Sequence, residues 1–202
     1  ELSGLVDPSQ EVSLAPPKTL SLSETAEAYQ DTDVPPHRFG HPHVQSLLAN
    51  PGSTVDPGSL SDQISGLNFD PGDLLGPLED TVGNTSYEEL TCVGLNANLN
   101  TLGGVFTLKK SSGYSGGLCE GGSREYVAFW RWDSNALQWV HMGTTSVEVH
   151  DIQNLPSDGL QYAAFLPVNP AQFRQPCSDG PSILKVRATL SWGQKPPATN
   201  PN

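Results

Sequence analysis

Gly113-Tyr114-Ser115-Gly116-Gly117 has the GxSxG spacing of a serine nucleophile elbow. That chemistry needs a strand before the serine and a helix after it, so that the hydroxyl stands exposed on a sharp turn. Here Gly116-Gly117-Leu118-Cys119-Glu120-Gly121-Gly122 follows, and a run so rich in glycine does not sustain a helix. The spacing therefore predicts a glycine-rich loop. His150-Asp151 would supply a base and its orienting acid, but neighbours in a strand point to opposite faces. Glu88-Glu89 is no acid–base pair for the same reason. His37, His41 and His43 place three imidazoles within seven residues, a set that suits a transition metal. Arg38 among them and the adjoining prolines favour plain polar chain, and no metal site is expected there. Asp133-Ser134-Asn135 and Asp70-Pro71-Gly72-Asp73 offer oxygen ligands without the full EF-hand spacing, so calcium alone stays open as a cofactor. No CxxC supports zinc. No catalytic constellation emerges, and no enzyme is expected.

Aromatic residues give a second kind of chemistry. Trp130 and Trp132 share one face of a predicted strand, with Tyr126 on the same face and Trp139 in the next strand. Flat rings on an exposed sheet face stack on sugars. The opposite face carries Val127 and Phe129, and at least one tryptophan is expected in the core. Asn84-Thr85-Ser86 is an N-x-[ST] acceptor, a weak glycosylation signal.

These residues sit in a chain of two contrasting parts. Of the 202 residues, 1–85 hold 13 acidic and 2 basic residues, Lys18 and Arg38, whereas 86–202 hold 9 and 8. Ten of the 18 prolines lie in the first part. Residues 1–84 thus read as an extended, mostly irregular, acidic Pro/Gly-rich arm. Residues 85–195 read as the domain and 196–202 as a tail. A net charge of -12 argues against nucleic-acid binding, which needs Lys and Arg on phosphates. No run approaches the roughly 18 apolar residues of a spanning helix. Within the arm, Val12, Leu14, Leu20 and Leu22 alternate with polar residues as short strands do, and residues 23–30 could make two helical turns.

From residue 86 the pattern is aromatic, β-branched and alternating. Strands are predicted at 86–95, 105–109, 125–132, 137–142, 145–149, 160–168 and 183–192, separated by Gly, Asn, Asp, Ser and Pro clusters. In the last, Leu184, Val186, Ala188 and Leu190 share the core face. Such spacing predicts an all-β fold, an immunoglobulin-like two-sheet β-sandwich.

The chain starts at Glu1 rather than Met. That predicts removal of an N-terminal segment, most simply a secretory signal peptide, and an extracellular or cell-surface location. Loop cysteines of exported proteins tend to pair, so Cys119 and Cys177 are the expected disulfide, with Cys92 a buried free thiol.

Several stretches carry a resemblance. They are residues 85–96, Gly113 to Cys119, Glu125 to Trp130, Gly143 to Ile152 and Lys185 to Trp192. Together they resemble an uncharacterised sandwich domain of secreted bacterial proteins. A small domain behind a long arm also looks like subunits of extracellular bacterial fibrils found in natural water. The resemblance implies secretion and no catalytic residues.

The expected function is that of a structural filament subunit, a head-to-tail homopolymer. Its arm would dock on the neighbouring subunit as a donor-like strand or a wrapping ribbon through Val12, Leu14, Leu20 and Leu22. An arm so acidic would meet basic surface, for which Lys109, Lys110, Arg124, Arg131, Lys185 and Arg187 are candidates. The alternative is a secreted carbohydrate-binding module using Trp130, Trp132 and Trp139.

Overall fold

The computed structural model describes residues 18, 20–35, 38, 83–180 and 182–199. Val12, Leu14, the His37/His41/His43 cluster and the Asp70–Asp73 loop lie outside the described residues. The described chain is mostly β, with one short helix.

Two antiparallel three-stranded sheets make the body. One has the order β1 (Glu88–Asn96), β2 (Thr101–Leu108), β5 (Leu160–Pro167). The other has the order β4 (Gln138–Val149), β3 (Ser123–Asp133), β6 (Val186–Trp192). Each sheet grows from a hairpin, β1–β2 or β3–β4, and the remaining strand adds beside the central one. β5 lies against β4, and β1 against β6, across the gap between the sheets.

Alternation explains the core. Leu102, Phe106 and Leu108 of β2 meet Val127 and Phe129 of β3, closed by Val149, Ala164 and Tyr114. Period-two spacing puts each set on one face, and facing them removes both from water. Gly104 marks the closest approach. A Cβ there would lie 3.0 Å from Val127 and 3.3 Å from Phe129, so any larger residue would push those side chains back by a few tenths of an ångström. Val186, Ala188 and Leu190 pack on the core as their predicted face requires.

Among the described residues the seven strand-like segments make six strands, within the six or seven expected. β4 runs unbroken through Gly143, because the register with β3 shifts between Phe129 and Trp130. Phe129 faces Gly143 and Trp130 faces His141, so Met142 is the extra residue of a bulge. The bulge absorbs the break in alternation without ending the strand. β6 also starts later than expected, leaving Ile183 87% exposed before it.

The cysteines correct two expectations. All three are free and exposed, including Cys92, expected to be buried. Cys92 follows a register shift on edge strand β1 that turns its side chain outward. Cys119 precedes the start of β3, whereas Cys177 lies in the connection that packs beside the end of β3, where Arg131 stacks on Phe173. Eleven residues of strand separate the two ends, roughly 35 Å at the usual rise. A disulfide needs Cα atoms within about 7 Å, and the expected Cys119–Cys177 bond is not formed.

Replacing Phe129 by Ala in this core should cost about 3–5 kcal/mol in a urea unfolding experiment. Leu137→Ala, at a site 73% exposed, should change stability by no more than about 0.5 kcal/mol.

Candidate arm-docking site

Part of the N-terminal arm is seated on the end of the body. Its helix α1 (Leu22–Tyr29) starts at Ser21, whose hydroxyl accepts the Glu24 N–H while the Glu24 carboxylate accepts the Ser21 N–H. This capping box satisfies two otherwise open donors and outweighs the strand-like alternation of residues 19–23. Leu22 therefore opens a helix instead of lying in the expected strand. Leu20, also expected there, lines a small groove of about 250 Å³ with Ala28, Tyr29, Glu120 and Asp151. Strand-like pairing of the described arm is confined to one parallel bridge, Lys18 with Glu120, where the Gly121 N–H donates to the Lys18 carbonyl at 3.0 Å.

Two side chains fix the helix end. Tyr29 is 5% exposed and its hydroxyl donates to the Asp151 carboxylate. The other oxygen of Asp151 accepts the Tyr114 N–H at 2.9 Å. Burial raises the Asp151 pKa and, with the neighbouring carboxylate, raises that of the Tyr29 phenol, so the phenol stays protonated as the donor.

Arg38 is the deeper anchor. Its guanidinium donates to both oxygens of Glu88, at 3.1 and 2.8 Å, with the side chains only 6% and 8% exposed. The Tyr87 and Trp192 rings flank it at 4.1 and 4.2 Å, and Tyr114 closes the cage at 5.4 Å. Planar, always charged and weakly hydrated, a guanidinium is the cation that suits both the fork and the ring faces.

Each wall of the cage comes from a predictable piece of backbone. Glu88 opens β1, and Trp192 continues the core parity of β6. The two meet where those edge strands lie side by side. Tyr114 comes from the GxSxG segment, which is a loop, and its hydroxyl donates to the Tyr87 carbonyl at 2.9 Å. Gly113 has φ 108°, and a Cβ there would stand 2.7 Å from the Tyr87 ring. The motif thus shapes the cage. Ser115 Oγ and His150 Nδ1 are buried without a hydrogen-bond partner among the described residues, so neither engages the other.

Below the cage lies Glu125, fully buried beside Val127 and Phe129. Burial, then the nearby Glu88 carboxylate, raises its pKa from 4.5 to about 9; Arg38 and the Ser123 hydroxyl partly oppose this. Tyr114 also faces it, held protonated by burial. Glu125 is therefore neutral at pH 7, and one guanidinium balances one carboxylate.

The other expected site residues lie elsewhere. Trp130 is 1% exposed against His141, so it belongs to no accessible platform. Its face is the expected one, but neighbouring side chains cover it. Trp132 and Trp139 do come together, paired across β3 and β4 with centroids 5.4 Å apart. Lys185 lies 5.6 Å from Trp132 and 5.7 Å from Trp139, and Arg187 4.8 Å from Trp139. Asn84 is exposed and its side chain accepts the Ser86 N–H. Asp133 gives one oxygen to two turn N–H groups and the other to Arg131, leaving little for calcium. Arg38, Glu88, Glu125 and Trp192 escaped the sequence reading of the site. Arg38 is one of only two bases in the first 85 residues, and Glu125 alternates with core residues.

Glu125 keeps its proton to about pH 9 in the fold but only to about 4.5 when unfolded. Its contribution to stability is thus greatest below pH 4.5 and is lost as pH rises toward 9. Glu125→Gln should flatten that loss, unfolding at higher urea than the parent at pH 8 and at a similar midpoint near pH 4.5. Comparison with family models, curated proteins and solved structures finds no match to this chain.

Proposed function

We propose that this protein is a structural subunit of an extracellular bacterial filament that polymerises head to tail by docking its arm on a neighbour. The observation that carries this reading is the seating of residues 18–38 on one end of the body through a buried, built site. The contacts are those of an interface: a desolvated charge pair, aromatic anchors and a capped helix. Their sense is the reverse of the one expected, since a basic arm residue enters an acidic, aromatic seat. The 49 residues 39–87 join the seated segment to β1. Fully extended they would span about 160 Å, against about 40 Å for the longest strand. The same contacts are thus within reach from an adjacent subunit. A head-to-tail contact of this kind generates an open filament unless its rotation closes a ring. The two-sheet body supports an immunoglobulin-like sandwich as the scaffold.

A second reading rests on the half-buried Trp132–Trp139 pair. With Lys185 and Arg187 beside the rings, it suits an acidic sugar. This would make the protein a secreted carbohydrate-binding module.

Negative-stain microscopy of the purified chain and of Arg38→Ala separates them. The filament reading expects filaments from the parent and dispersed particles from a folded Arg38→Ala. Equal polymerisation by both, or none by either, would overturn it. Binding of polyuronate by the parent but not by Trp139→Ala would then favour the second.

A further inference from the structure

We propose that the cage of Tyr87, Glu88, Tyr114 and Trp192 is a guanidinium receptor that accepts Arg38 from a second copy of this chain. The choice of partner rests on the filament reading; the chemistry of the cage does not.

The cage is selective by shape. Two aromatic faces stand about 4 Å from the guanidinium carbon, and Glu88 takes two parallel N–H donors. A lysine ammonium has no plane to lay between the rings and no fork for the carboxylate. The cage is also selective by charge. Glu88 supplies its negative charge, because Glu125 beneath it holds a proton at neutral pH. One monovalent cation neutralises the site.

The ligand is separable from its receptor. The described contacts of 18–38 with the body include Glu120–Gly121, Asp151, the 113–115 loop and the cage, and the Tyr114–Asp151 hydrogen bond ties these places together. The segment can therefore leave and be replaced as one unit. An arm from a second molecule would remake each bond, so exchange changes the free energy only through the connection, as in domain swapping. The seat lies where edge strands β1 and β6 run side by side, and an incoming arm there needs no opening of the core.

Full-length Arg38→Met keeps an apolar stem in the cage while removing the charge. A synthetic peptide of residues 18–38 should bind it, read by tryptophan fluorescence and calorimetry. The peptide with Lys at position 38 should bind at least tenfold more weakly, and the parent chain, whose own Arg38 competes, should also bind at least tenfold more weakly. Adding Glu88→Gln to the receptor should weaken binding and reduce the discrimination between the two peptides, leaving the part due to the rings. Circular dichroism and a urea melt establish that each chain is folded, and Arg38→Lys serves as receptor if Arg38→Met is not. Equal binding of both peptides, or none to a folded receptor, overturns the proposal. Selective binding by a chain that forms no filaments would uphold the receptor and overturn the filament reading alone.

Discussion

The buried ion pair between Arg38 and Glu88 is the interaction on which the arrangement depends. Among the described residues it is the one place where the acidic arm contributes positive charge to the interior. A buried pair is weak evidence for stability, since desolvation offsets most of the attraction. Breaking it is another matter. A lone carboxylate at the seam, above Glu125, would cost about 3–5 kcal/mol. The pair therefore acts as a condition on where the arm lies more than as a source of stability. Helix α1 and the Lys18 bridge are local contacts that would be marginal alone, and Arg38 holds them in register with the body.

The sandwich-like body makes this possible by leaving one end open. Between β1 and β6 the inner faces carry Glu88, Glu125 and Trp192 instead of a further aliphatic layer. Glu88 needs a cation and the cation needs rings around it, and the glycine-rich loop supplies Tyr114 by turning at Gly113. Polar groups so placed would count against an isolated domain. With the arm in position both oxygens of Glu88 are paired with Arg38, which ties the integrity of the body end to the presence of an arm.

Much of this was legible in the sequence. Alternation gave the strands, the β6 core face and the all-β class, because period-two burial is a local signal. The arm helix was visible as two possible turns, although Ser21 and Glu24 decide its start. The Arg38–Glu88 contact joins residues 50 apart and leaves no periodic trace. The residues that make it were nevertheless anomalous where they stood. Glu125 occupies a core parity position, and Arg38 is a base in an acid-rich segment. Trp130 is the tryptophan expected in the core, although parity alone does not report which of the three would be covered.

Hydrogen–deuterium exchange on the full chain and on Arg38→Ala tests the central claim that Arg38 holds the arm in place. The account predicts that the amides of α1 lose their protection in the variant while those of β2 and β3 keep theirs. Unchanged protection of α1, or loss throughout the core strands, would contradict it.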